Sequence, residues 1–90
     1  TKRSGLLKQP LGLYQFIALD MDERAAYLWE HGEYITGAVE QFRSNFYALH
    51  DYFVEVDLFD TGDAIAAVVP FTTGDRYERM LRHIQLDRLT

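Results

Sequence analysis

The chain has no cysteine. That excludes a disulfide framework, a thiolate metal site and a cysteine nucleophile, and the missing staple of a small secreted domain favours the cytoplasm. No apolar run approaches the ~18–20 residues a membrane-spanning helix needs, so no membrane partner is expected. The basic start, Thr1 to Lys8, leads into no apolar stretch long enough for a signal peptide. It also lacks an initiator Met, as a processed or trimmed piece would. Serine occurs twice, as Ser4 and Ser44, neither beside a plausible base. The six glycines are scattered, and none opens the strand-to-helix turn of a phosphate-binding loop.

What is present suits one small domain. Ninety residues, 48% apolar and 14% aromatic, fill a single core. A chain this short buries only about 60–65% of its unfolded surface, which leaves a thin stability margin. Residues 1–10 read as a flexible tail and 11–90 as the domain. Charge is uneven: residues 9–63 hold eleven acids against Arg24 and Arg43, while residues 1–8 carry only positives. An acidic middle works against phosphate-backbone binding, so no nucleic-acid partner is expected.

Hydrophobic spacing gives the elements. Leu13, Phe16 and Ile17 are spaced for a helix over 11–19. Asp20 and Glu23 have capping-box spacing ahead of a second helix, 21–31, with Met21, Ala25, Leu28 and Trp29 along one face. Gly32 stands where a left-handed residue commonly ends a helix. From Glu33 the period becomes two, predicting strands at 34–41, 45–49, 52–59 and 64–71, with Gly37 marking a bulge or close approach. Asp60-Thr61-Gly62-Asp63 is a hairpin turn, and His50-Asp51 a tight turn of residues that tolerate the left-handed region. Tyr77, Met80, Leu81 and Ile84 form the stripe of a closing helix over 75–85, after a capping-box-like Asp75-x-x-Glu78. The class is therefore α+β: two short N-terminal helices, a four-stranded antiparallel β-meander and a C-terminal helix.

The turns set a register. A four-residue loop at 60–63 pairs Leu58 with Ile65, Val56 with Ala67, Val54 with Val69 and Tyr52 with Phe71. A two-residue turn at 50–51 pairs Leu49 with Tyr52 and Tyr47 with Val54. These ten residues then share one apolar face. The other face carries Phe46, Ala48, Phe53, Glu55, Asp57, Phe59, Ala66 and Val68, where a solvated sheet would be polar. Either the C-terminal helix covers it, bringing its arginines to Glu55 and Asp57, or a second copy or unidentified protein does. A helix of 11 residues is about 16 Å long and cannot cover four strands. A residual interface at Phe46, Phe53, Glu55, Phe59 and Val68 is the expected binding surface, with a homodimer its commonest form.

Chemistry finds less support. His31, His50 and His83 read as capping or surface residues that nothing in the sequence brings together. Asp57, Asp60 and Asp63 lack the alternating ligands of a calcium loop, and no metal or cofactor is expected. Glu55 and Asp57 lie ~6.5–7 Å apart along a strand, and with His50 nearby they form the alternative, an acid–base or ligand site needing a pocket. Arg76, Arg79 and Arg82 read as a solvated helix face. The favoured expectation is a non-enzymatic interaction module.

Overall fold

The computed structural model describes residues 10–40, 42–59 and 64–89. They form helices α1 (Leu13–Ile17) and α2 (Met21–His31), strands β1 (Glu33–Val39), β2 (Arg43–Leu49), β3 (Tyr52–Leu58) and β4 (Ile65–Phe71), and helix α3 (Asp75–Leu89). The strands make one antiparallel sheet in the order β1-β2-β3-β4. The fold is thus the α+β meander that the spacing predicts. Of the expected tail, 1–10, residues 1–9 lie outside the described residues, as does the turn Asp60-Thr61-Gly62-Asp63.

Local chemistry explains the helix ends. At α2 the Asp20 carboxylate accepts from Glu23 N–H at 2.8 Å, and the Glu23 carboxylate accepts from Asp20 N–H at 3.0 Å. Both first-turn donors are thereby satisfied. Gly32 ends the helix in extended backbone, φ −83°, not in the expected left-handed conformation. Glycine is needed there for space, because a Cβ would stand 2.6 Å from Leu28 Cδ1 and 2.9 Å from Leu28 O. At α3 the Glu78 N–H bonds to the Gly74 carbonyl, so Asp75 begins the helix and is not its cap. Gly74 supplies the positive φ of 96° that turns β4 into α3. His50 is the one described non-glycine residue with positive φ, at 57°.

The β2–β3 hairpin has the predicted register, with Leu49 opposite Tyr52 and Tyr47 opposite Val54. The β3–β4 hairpin begins as predicted, with Leu58 opposite Ile65, and then slips. Asp57 faces Ala67, so Ala66 is an extra residue, and beyond it Val56 faces Val68 and Glu55 faces Val69. A bulge of one residue moves every later side chain to the other face. Val68 is therefore in the first core, while Ala67, Val69 and Phe71 are on the second face, the reverse of the expected placement. β1 also bulges, between Tyr34 and Thr36 and not at Gly37.

Each sheet face has its own core. On the first, Phe16 of α1 and Ala25, Tyr27 and Leu28 of α2 pack on Leu49, Tyr52, Val54, Val56 and Val68. Trp29 and Met21, expected in the α2 stripe, point outward, and Tyr27 takes the inward position. Its hydroxyl makes that possible: it accepts from Leu11 N–H at 2.9 Å and shares a hydrogen bond with His50 Nε2 at 2.6 Å. On the second face α3 lays Met80, Tyr77 and Ile84 over Ala38, Phe46, Phe53 and Phe71. The helix is thus a cover for the second face, and each large side chain it buries is worth roughly 1.5–3 kcal/mol.

At the β4 edge, Pro70 has no N–H to offer and the Arg24 guanidinium occupies the Val68 carbonyl through Nη1 at 2.8 Å. The same guanidinium holds the carbonyls of Leu19 and Ile17 at 3.1 and 2.7 Å, tying the end of α1 to the sheet.

Candidate functional site

The five residues expected to share an exposed face are dispersed. Phe46 and Glu55 are 0% and 1% exposed beneath α3, Phe53 is half-buried there, Val68 is in the first core, and Phe59 is 54% exposed. Two other arrangements emerge, one polar and buried, one aromatic and open.

The polar one lies between α3 and the second face. Glu55 stands on β3 with no route to water, and its carboxylate needs partners to be tolerated. Arg79 Nη2 donates to Oε2 at 2.9 Å, and Arg76 Nε lies 3.1 Å from Oε1 as an ion pair without hydrogen-bond alignment. Arg79 also stacks over the Phe46 ring at 5.6 Å and lies 3.7 Å from Glu40, which accepts from His83 Nε2 at 3.0 Å. Ser44 Oγ donates to Asp57 at 2.9 Å. Arg76, Arg79 and His83 are one or two turns apart, so α3 turns one edge of its buried side into a row of nitrogen donors facing the carboxylates. Arg79 belongs to this inward side, not to a solvated face.

The two β3 carboxylates divide one proton unequally. Burial raises Asp57 to about 6, helped by a hydrogen bond toward Glu55. Burial pushes Glu55 up as well, but the bond from Asp57 and the Arg79 guanidinium outweigh it and hold Glu55 below its usual range. The bond from His83 holds Glu40 low too.

Between its ordinary 3.8 and about 6, Asp57 keeps a proton in the folded state that the unfolded chain releases. Its contribution to stability is therefore present below about pH 4 and lost as pH rises through 6. Glu55, being lowered, contributes in the opposite sense, above its ordinary 4.5. Asp57→Asn carries the donor permanently. Its urea midpoint is expected to exceed that of the wild type at pH 7.5 and to converge on it by pH 4. An offset independent of pH would disprove the shared proton.

His50 is not part of this network. Its ring lies 5.8 Å from Tyr27, 6.1 Å from His31 and 6.3 Å from Tyr52, among first-face residues. The alternative of an acid–base site with His50 beside Glu55 and Asp57 thus lacks its third member. The sequence did not anticipate that His31 and His50 would meet; α2 and the β2–β3 turn end on the same side of the molecule. A cavity of about 460 Å³ opens beside the carboxylate network, lined by Ala38, Glu40, Phe42 and Arg79. No group of three metal-ligating side chains occurs among the described residues, and no helix is long and apolar enough to cross a membrane.

The aromatic arrangement lies on the first face. α1 and α2 rest against β4, and the β1–β2 half keeps an open surface. Trp29 on the flank of α2 meets Tyr47 of β2 at 5.6 Å and 62°, and Tyr47 meets Tyr34 of β1 at 5.7 Å and 78°. Trp29 is 55% and Tyr34 60% exposed. Gly37 is the floor: a Cβ there would stand 3.0 Å from the Tyr34 hydroxyl and 3.2 Å from Asn45 Oδ1. Its bareness lets the Tyr34 side chain lie along the strand. Val39 and Arg43 are exposed at the far end, while Glu33, opposite Ala48, belongs to the other face.

No family model matches the chain, and no curated protein or solved structure is significantly similar to it.

Proposed function

We propose that the chain is a non-enzymatic protein-interaction module whose contact surface is the open half of the first sheet face, centred on Trp29, Tyr34 and Tyr47. The observation that carries this reading is an edge-to-face row of three aromatic rings, two of them more than half exposed, on an open half-sheet. Contiguous exposed apolar patches on small proteins mark interaction sites, and Trp and Tyr are the side chains that dominate binding energy when covered. The second face, expected to serve this role, is occupied by α3. The carboxylates there hold a helix in place, and their pairing with Arg76 and Arg79 supports a structural role over an acid–base one.

The test compares the wild type with the Trp29→Ala/Tyr34→Ala double variant. Mass by light scattering over a concentration series reads self-association, and an immobilised chain reads retention of other proteins. Association of either kind that the variant loses, with its circular dichroism unchanged, supports the reading. A monomer that retains nothing, or retention equal in both chains, overturns it.

A further inference from the structure

We infer that residues 10–17 form a flap that acid releases. Two tyrosine hydroxyls latch its front at Leu11, a neutral His50 sets the latch, and the Arg24 guanidinium is its hinge. The flap does not hold itself. α1 has five residues, well short of the ~12–15 at which an isolated helix becomes even marginal in water. It stays where its neighbours fasten it, and polar contacts do so at two points. At the rear, Arg24 holds the carbonyls of Ile17 and Leu19. At the front, Leu11 is gripped on both sides. Its N–H donates to the Tyr27 hydroxyl of α2 at 2.9 Å, and its carbonyl accepts from the Tyr52 hydroxyl of β3 at 2.9 Å. Between the two points the buried Phe16 ring lies 6.2 Å from Tyr27 and 5.8 Å from Tyr52.

The front latch turns on one proton. Tyr27 is 6% exposed, so its hydroxyl depends on protein partners for its hydrogen bonds. The oxygen is taken by Leu11 N–H, which leaves the hydroxyl hydrogen for His50 Nε2, 2.6 Å away. That nitrogen accepts only while it carries no proton, so the latched form holds a neutral ring with its hydrogen on Nδ1. A proton on Nε2 turns the acceptor into a donor. The buried hydroxyl hydrogen then loses its acceptor, and one oxygen faces two donors. The latched state thus binds one proton fewer than the open one, and lowering the pH favours opening.

Histidine is the side chain whose charge ordinarily changes between pH 5 and 8. His50 is exposed in its turn, so a proton reaches it without unfolding. Of the groups around it, His31 of α2, 6.1 Å away ring to ring, adds a like charge when protonated and itself sits 3.8 Å from Glu30. Asp51 follows it in the turn. Tyr52 of β3 lies 6.3 Å away; burial pushes its phenol up to about 12, so it goes on donating to Leu11 throughout this range. The rear fastening has no such step, because arginine keeps its charge. The front therefore lifts while the rear stays tied.

Amide hydrogen exchange at Leu11, taken as protection relative to the intrinsic rate, reads the latch. In the wild type this protection should fall at least tenfold between pH 7.5 and 5.0, while the β3 amides keep theirs. His50→Asn preserves the turn, since asparagine tolerates the positive φ of 57°. It should be at least tenfold less protected at Leu11 at pH 7.5 and change no further at pH 5.0. Tyr27→Phe, which keeps the ring, should behave in the same way and decides the matter should His50→Asn not fold. His31→Gln should respond as the wild type does. Asp57 does not imitate the effect, because it favours the folded state as pH falls through 6.

Leu11 protection that is flat with pH in the wild type would overturn the inference, as would a loss shared by the β3 amides. A response that survives in His50→Asn, or one that disappears in His31→Gln, would place the proton elsewhere and overturn it too.

Discussion

Phe46→Ala is expected to cost about 3–5 kcal/mol, enough to remove much of the 5–15 kcal/mol that holds a domain of this kind together. Phe46 is 0% exposed. Its ring stands edge-on to Phe71 at 6.1 Å and 87°, with the Arg79 guanidinium above it. Removing the ring opens a cavity between α3 and the centre of the sheet and takes away the surface on which the arginine lies. Urea unfolding followed by far-ultraviolet circular dichroism measures the loss. A residue on an open binding surface would change stability by less than about 0.5 kcal/mol, so the result also decides whether α3 covers this face in solution.

Arg79→Ala is expected to be of similar size, about 3–5 kcal/mol, for a different reason. The variant leaves Glu55 buried with its hydrogen-bonded partner gone, and an uncompensated buried charge is far more costly than the intact pair is stabilising. Arg76 does not rescue it, because its side chain is 44% exposed and its contact to Oε1 lacks hydrogen-bond geometry. Arg79→Met with Glu55→Leu removes both charges, and the double variant should regain most of the loss. Recovery by the pair with failure of the single variant identifies desolvation as the cause. A loss under 1 kcal/mol for Arg79→Ala alone would show that water reaches Glu55 and that α3 is not clamped through it.

The elements of this fold were legible because their signals are local. Asp20 with Glu23 marks a helix start, alternation from Glu33 onward marks strands, and the His50-Asp51 turn sets the β2–β3 register without help from tertiary contacts. The β3–β4 register was not legible beyond its first pair. The segment Ile65-Ala66-Ala67-Val68-Val69 is apolar at every position, so neither face is favoured by pattern and the bulge at Ala66 costs nothing that alternation could reveal. Val68 was misplaced for that reason.

The candidate surfaces divide in the same way. Ion pairing between the α3 arginines and Glu55 follows from which face each occupies, and of the second-face Phe residues expected to need a cover Phe46 and Phe53 have one in α3, while Phe59 is exposed. The aromatic row was missed. Trp29 has the spacing of a buried stripe, but Tyr27, its hydroxyl bonded to Leu11 and His50, takes the inward position and Trp29 faces Tyr47. How far the N-terminal helices reach was also hidden. With α1 only five residues long and both helices lying against β4, the β1–β2 half is left bare, and helix length alone does not say which strands a helix will choose.

The side chain of Arg24 has a further consequence. Joined to the Val68 carbonyl, and followed two residues later by a proline, it leaves the β4 border with a filled acceptor, a missing donor and a kink at Ala66. An incoming strand from another molecule finds no regular ladder there to extend. Growth of the sheet into a fibril is thus blocked along that border by the very residue that fastens α1, so the molecule can expose a sticky aromatic surface at its other end without templating polymers from this one.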